Sequence, residues 1–154
     1  MIASRHLVIS IDDQTLEVWC GGASIRKFGV STAAKGCGFE NDSHKTPTGR
    51  FRVFEKIGDG MPLGTIFKCR VPVGFWPSGE VSSDDLILSR IVRLEGLDVE
   101  NANTLDRCIY LHGTNREDLI GEPASHGCVR LRNADMIELF DMLSEGDLVD
   151  ILMI

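Results

Sequence analysis

Apolar and polar residues alternate from the start of the chain. "HLVISI" (His6 to Ile11) is followed by a polar turn at Asp12 to Thr15, and then by "LEVWC" and "SIRKFGV" on either side of Gly21-Gly22. Side chains on a strand point alternately to its two faces, so short alternating runs between Gly and Asp turns predict an antiparallel meander. A long polar, Gly-containing connection follows and ends in Thr46-Pro47-Thr48-Gly49, a turn that launches the alternating strand "RFRVFEK". His44 lies in that connection and is expected to be a solvated loop histidine.

The stretch from Ile57 to Asp84 is rich in Gly, Pro and Ser and carries Met61, Phe67, Phe75 and Trp76. Loops of this kind form a lid or pocket wall, or else an irregular crossover whose aromatics pack on the core, and both readings stay open. "DLILSRIVRL" (Asp85 to Leu94) and "CIYLHG" (Cys108 to Gly113) are nearly continuous apolar runs, expected as central strands. Met136, Ile137, Leu139, Phe140 and Leu143 recur at helical spacing, which predicts one amphipathic helix with Asn133 as N-cap and Gly146 as its stop. "DLVDILMI" closes the chain as a strand. The sum is a mainly β fold. Without a repeat or linker, residues 1–154 are expected to form a single domain.

Hydrophobic residues make up 43% and charged residues 25% of the chain, the balance of a folded globular protein. A formal net charge of -7 argues against a nucleic-acid partner, because neutralising phosphates takes clustered Lys and Arg. An anionic ligand would need a local cation. No apolar run approaches the ~20 residues of a membrane span, and Asp12 and Asp13 interrupt the N-terminus before a signal-peptide core is complete. The expected location is therefore cytoplasmic if Met1 is the natural start, and periplasmic or cell-envelope if a leader has been removed.

Five cysteines without regular spacing predict reduced thiols rather than a disulfide framework. Cys20, Cys37, Cys69 and Cys108 sit in or beside apolar stretches and are expected to be small core residues. Cys128 has other neighbours: Ser125, His126 and Gly127 precede it, Arg130 follows, and His112 ends a predicted strand. A thiol becomes a nucleophile when a nearby imidazole or amide dipoles favour its ionised form. A glycine just before it permits a tight turn with backbone N–H groups aimed at one point, as an oxyanion hole requires. His112 and His126 both qualify by sequence as the base. Zinc is the chemical rival, since Cys108-x3-His112 and His126-x-Cys128 offer four ligands, although the spacing lacks a knuckle turn and no metal or cofactor is expected.

"HGTN" followed by "IGEPASHGCVRLRNAD" strongly resembles the signature of the L,D-transpeptidase catalytic domain, the YkuD-type cysteine acyltransferases of bacterial peptidoglycan metabolism. "LVISIDDQTLEVW", "KTPTGRFRV" and "GDLVDIL" extend the likeness over essentially the whole chain. The resemblance implies a β-sandwich or barrel-like domain with one main helix after the catalytic cysteine. It also implies attack on the L,D-peptide bond before a terminal D-alanine of a stem tetrapeptide, leaving a thioester.

Carried onto matching positions, the resemblance makes Cys128 the nucleophile and His112 the general base and acid, with the Gly113 carbonyl orienting the imidazole. The Gly127 and Cys128 amides would face the oxyanion, and Ser125, Gly127 and His126 would shape the turn. Arg130 would hold the substrate carboxylate or, alternatively, form a salt bridge with Glu122 or Asp135. Tyr110 would face the substrate or pack within its strand. Expected partners are peptidoglycan stem peptides or muropeptides. Hydrolysis, an L,D-carboxypeptidase activity, is favoured because the chain as written lacks a leader. Cross-link formation is the alternative, and a non-catalytic peptidoglycan-binding domain a minor one.

Overall fold

A computed structural model describes residues 4–77 and 85–154. Within them the chain opens as a meander of β1 (His6–Ser10), β2 (Thr15–Cys20) and β3 (Ala23–Gly29), in antiparallel register with Leu7 opposite Val18 and Ile9 opposite Leu16. Those four side chains are fully buried while their strand neighbours reach the surface, the outcome that period-two alternation dictates. β4 (Gly49–Ile57) follows the Thr-Pro-Thr-Gly turn, and β7 (Ile87–Gly96) and β8 (Tyr110–Gly113) lie centrally. β10 (Leu148–Leu152) runs parallel to β1 and antiparallel to β4, joining the first and last segments of the chain.

The structure confirms a mainly β fold with one helix, a mixed sheet whose main path runs β3-β2-β1-β10-β4-β7, with β8 on the other edge of β7. A short strand, β9 (Val129–Leu131), lies parallel to β8. Beyond β3 the path returns to β9 at one point: the Ser31 and Arg130 backbones exchange two hydrogen bonds of 2.9 Å each. The sheet is thus drawn round a common core, to which β1–β4, β7–β10 and the helix α1 (Asn133–Met142) all contribute. α1 buries Met136, Leu139 and Phe140 there, each worth about 1.5–3 kcal/mol relative to exposure.

Three expectations need correction. The stretch from Ile57 contains a β-hairpin, β5 (Thr65–Lys68) and β6 (Val71–Phe75), with β5 pairing on β7; its last part, residues 78–84, lies outside the described residues. Asn133 is the first helical residue rather than the N-cap, because its side chain is committed elsewhere: Nδ2 donates to Thr114 O at 2.8 Å and Oδ1 accepts from Ser89 Oγ at 2.7 Å. Glu117 Oε2 instead accepts the Asn133 N–H at 2.7 Å, setting a carboxylate at the positive helix end. The helix ends at Met142, before Gly146. Finally, Cys20, Cys37, Cys69 and Cys108 are not core residues: the first two are half-buried and the other two exposed, with all five thiols unpaired. No helix among the described residues is long and apolar enough to cross a membrane.

Candidate active site

The site assembles where β8 ends and β9 begins. Ser125 to Cys128 form a bend held by two hydroxyls. Ser125 Oγ donates to Cys128 O at 2.6 Å and accepts the Gly127 N–H at 3.2 Å. Thr46 Oγ1, fully buried, donates to Gly127 O at 2.9 Å and accepts the Ala33 N–H at 3.0 Å. Gly127 has φ +128, a left-handed value that favours glycine. Thr46 of the Thr-Pro-Thr-Gly turn therefore does more than start β4: it braces the residue before the cysteine.

Cys128 is half-buried and packs against Tyr110, Ile91 and Phe67. Its Sγ lies 3.3 Å from the Tyr110 N–H, which it accepts, and 3.3 Å from the Cys108 carbonyl, to which the thiol donates. Burial pushes the thiol up to about 12; Asp85 pushes the same way, while the Tyr110 amide and Arg130 oppose it. At rest the sulfur is a neutral thiol.

His112 lies two residues beyond Tyr110 on β8 and so on the same strand face. It is buried, and its Nδ1 sits 2.6 Å from Gly113 O. A carbonyl only accepts, so Nδ1 carries the proton and Nε2 is the basic nitrogen. Burial pushes the imidazole below its ordinary value, against the Gly113 carbonyl and Asp85, so it too is neutral at pH 7. Gly113 must be glycine, because a Cβ there would stand 2.3 Å from Asn133 Oδ1 and 2.7 Å from Leu88 O.

Asp85, which the sequence offers no reason to single out, joins the remaining polar residues. Its Oδ1 lies 2.9 Å from Arg130 Nη2 and its Oδ2 3.2 Å from His126 Nδ1. The Arg130 side chain is only 4% exposed, so its salt-bridge partner is Asp85 rather than Glu122 or Asp135, and a buried, paired guanidinium is poorly placed to receive a carboxylate. His126 projects from the bend into solvent beside His44, the two rings 6.0 Å apart and edge-on. The Gly127 amide is spent on Ser125 Oγ, so of the two amides assigned to the oxyanion only that of Cys128 has no partner among the described residues. Tyr110 is packed within its strand. Cys108, His112, His126 and Cys128 do not converge as a ligand set; among the described residues no three His, Cys, Asp or Glu side chains do.

Two clefts reach residues next to these, Thr114 after Gly113 and His126 of the bend. One of about 540 Å³ is lined by Leu63, Trp76, Thr114, Asn115, Glu117 and Asp118, and another of about 390 Å³ by Asp42, His44, Asp106, Arg107 and His126.

Residues 4–151 match the L,D-transpeptidase catalytic domain family (YkuD), and the chain belongs to that family. Among solved structures it is similar to an L,D-transpeptidase from Mycobacterium smegmatis, with TM-score 0.64 and 21% identity over 97% of this chain and 59% of that one. It is likewise similar to an L,D-transpeptidase from Xylanimonas cellulosilytica, with TM-score 0.63 and 22% identity over 99% of this chain and 62% of the other. A stretch of 47 residues is 40% identical to YqjB of Bacillus subtilis, covering 30% of this chain and 27% of that protein. The chain thus spans about three fifths of these structural relatives and matches about a quarter of the curated one.

Proposed function

We propose that the protein cleaves the L,D-peptide bond before a terminal D-residue of a peptidoglycan stem peptide through a thioester on Cys128. The observation that supports this most directly is the fixed tautomer of His112: Nδ1 is committed to Gly113 O, leaving a neutral, basic Nε2 two residues along β8 from Tyr110, whose amide meets the thiol. The thiol proton passes to Nε2 as Sγ attacks the carbonyl carbon, which requires the thiol to turn away from Cys108 O. The Cys128 N–H is the available donor to the developing oxyanion. Collapse breaks the C–N bond, and the imidazolium returns its proton to the departing amine.

Water as acceptor completes the turnover as an L,D-carboxypeptidase, the outcome placed first because it needs no second substrate site. Transfer to an amine of another stem peptide, forming a cross-link, is the second reading; the carboxylates of the larger cleft do not favour it, because Asp118 is paired with Arg116 and Glu117 accepts from Asn133. Incubation with a synthetic stem tetrapeptide, read by mass, tests both. A tripeptide product indicates hydrolysis and a cross-linked dimer indicates transfer. Either product from a folded Cys128→Ala variant would refute the mechanism.

A further inference from the structure

The β5–β6 hairpin turns through Cys69 and Arg70, both in the left-handed region with φ +49 and +65. Its tip folds back toward the cysteine. Arg70 Nη1 donates to Tyr110 Oη at 3.0 Å, Phe67 of β5 packs in the same apolar group as Tyr110 and Cys128, and the Tyr110 amide contacts Cys128 Sγ. Tyr110 thus links Cys128, through its amide, to an exposed guanidinium, through its phenol. A crevice of about 290 Å³ lies along β5, lined by Phe67, Lys68, Cys69, Asp85 and Ile87.

We propose that Arg70 receives the terminal α-carboxylate of the departing residue and so sets a preference for peptides with a free C-terminus. The inference rests on the acyl-transfer reading above. The other arginines near Cys128 are committed. Arg130 is buried against Asp85, and Arg107 spends Nη1 on Gly38 O and Nη2 on Ser43 Oγ and Lys45 O. Arg70 has five N–H donors and, among the described residues, uses one, on a neutral phenol. Its fork can accept a carboxylate in bidentate fashion without displacing that bond.

The reach also fits. A carboxylate two bonds beyond the scissile nitrogen stands roughly 5–6 Å from an attacking sulfur, and a guanidinium nitrogen bound to it about 3 Å further, a span comparable to the roughly 9 Å of a tyrosine side chain ending in one hydrogen bond. The Tyr110 link ties the guanidinium to the residue whose amide meets Cys128 Sγ, and the turn at Cys69-Arg70 lets the chain reverse there.

The test compares a stem tetrapeptide bearing a free C-terminal carboxylate with its C-terminal amide. The wild-type protein is expected to prefer the acid by roughly 10- to 100-fold in kcat/KM. In Arg70→Gln that ratio is expected to fall toward one, with partial recovery in Arg70→Lys, while circular dichroism stays unchanged because the side chain is exposed. A ratio that survives in Arg70→Gln overturns the inference. Calorimetric binding of the two peptides to Cys128→Ala, with and without Arg70→Gln, separates this from the chemistry: if the wild type turns over neither peptide, the acyl-transfer reading fails, while an acid preference in binding that depends on Arg70 still supports the carboxylate contact, and its absence overturns it.

Discussion

Thr46→Val is the most informative single change. The two side chains have nearly the same shape, and Thr46 is fully buried, so the substitution removes a hydroxyl without opening a cavity. It strands two buried groups, the Ala33 N–H and the Gly127 carbonyl, which now meet Thr46 Oγ1 at 3.0 and 2.9 Å. An unsatisfied buried backbone group costs about 1–3 kcal/mol. Allowing for partial relaxation and the gain from a buried methyl, the expected destabilisation is about 2–4 kcal/mol. Because the stranded carbonyl belongs to the residue before Cys128, turnover of the stem tetrapeptide should fall as well. Urea unfolding followed by circular dichroism gives the stability change as a shift in midpoint at constant slope. Thr46→Ser, which keeps the hydroxyl, should lose about 1 kcal/mol and remain active. A loss below about 0.5 kcal/mol in Thr46→Val, with unchanged turnover, would show that the brace carries neither stability nor geometry.

Three other outcomes are expected. Gly113→Ala forces a Cβ against Leu88 O, a backbone atom that cannot swing aside, and should destabilise the fold by about 1–3 kcal/mol while displacing the His112 ring; proton NMR of the imidazole in the variant would detect the shift. His112 is depressed by burial, so it stays neutral and basic until the pH falls below its ordinary value of 6.5. The acid limb of kcat/KM should therefore lie below pH 6.5, and the stability that neutral His112 contributes should be present above 6.5 and lost as the pH falls through its folded value; an acid limb above 7 would contradict the buried neutral imidazole. With its thiol pushed up to about 12, Cys128 should alkylate far more slowly at pH 7 than exposed Cys69 and Cys108, as peptide mapping after iodoacetamide would show; preferential labelling of Cys128 at that pH would instead indicate a thiolate–imidazolium pair.

The alternating strands are legible in the amino-acid sequence alone, because one buried face writes a period of two into it: Leu7 and Ile9, Leu16 and Val18, Val149 and Ile151. The β5–β6 hairpin is not. "VPVGF" is exposed along nearly its whole length, so burial imposes no alternation, and Pro72 and Gly74 read as loop residues. β9 spans three residues, too few for any period to appear. The motif around Cys128 is readable because its residues are close in sequence, whereas Asp85 and Thr46 enter the site only through tertiary packing. The partner of Arg130 escapes a sequence reading for the same reason, since Asp85 lies on a distant segment. The surface placement of the cysteines is hidden because neighbouring apolar residues do not fix which way a thiol points; Cys69 and Cys108 occupy left-handed turn positions at the surface.

The Ser31–Arg130 bridge has a practical consequence. Arg130 fastens its strand along both edges, to β8 on one side and to Ser31 on the other, and its side chain is tied to Asp85 as well. The segment that follows Cys128 is therefore a clasp: releasing either edge loosens the other. Deuterium uptake at the Ser31 and Arg130 amides then becomes a direct gauge of whether the candidate site is intact, readable without a substrate.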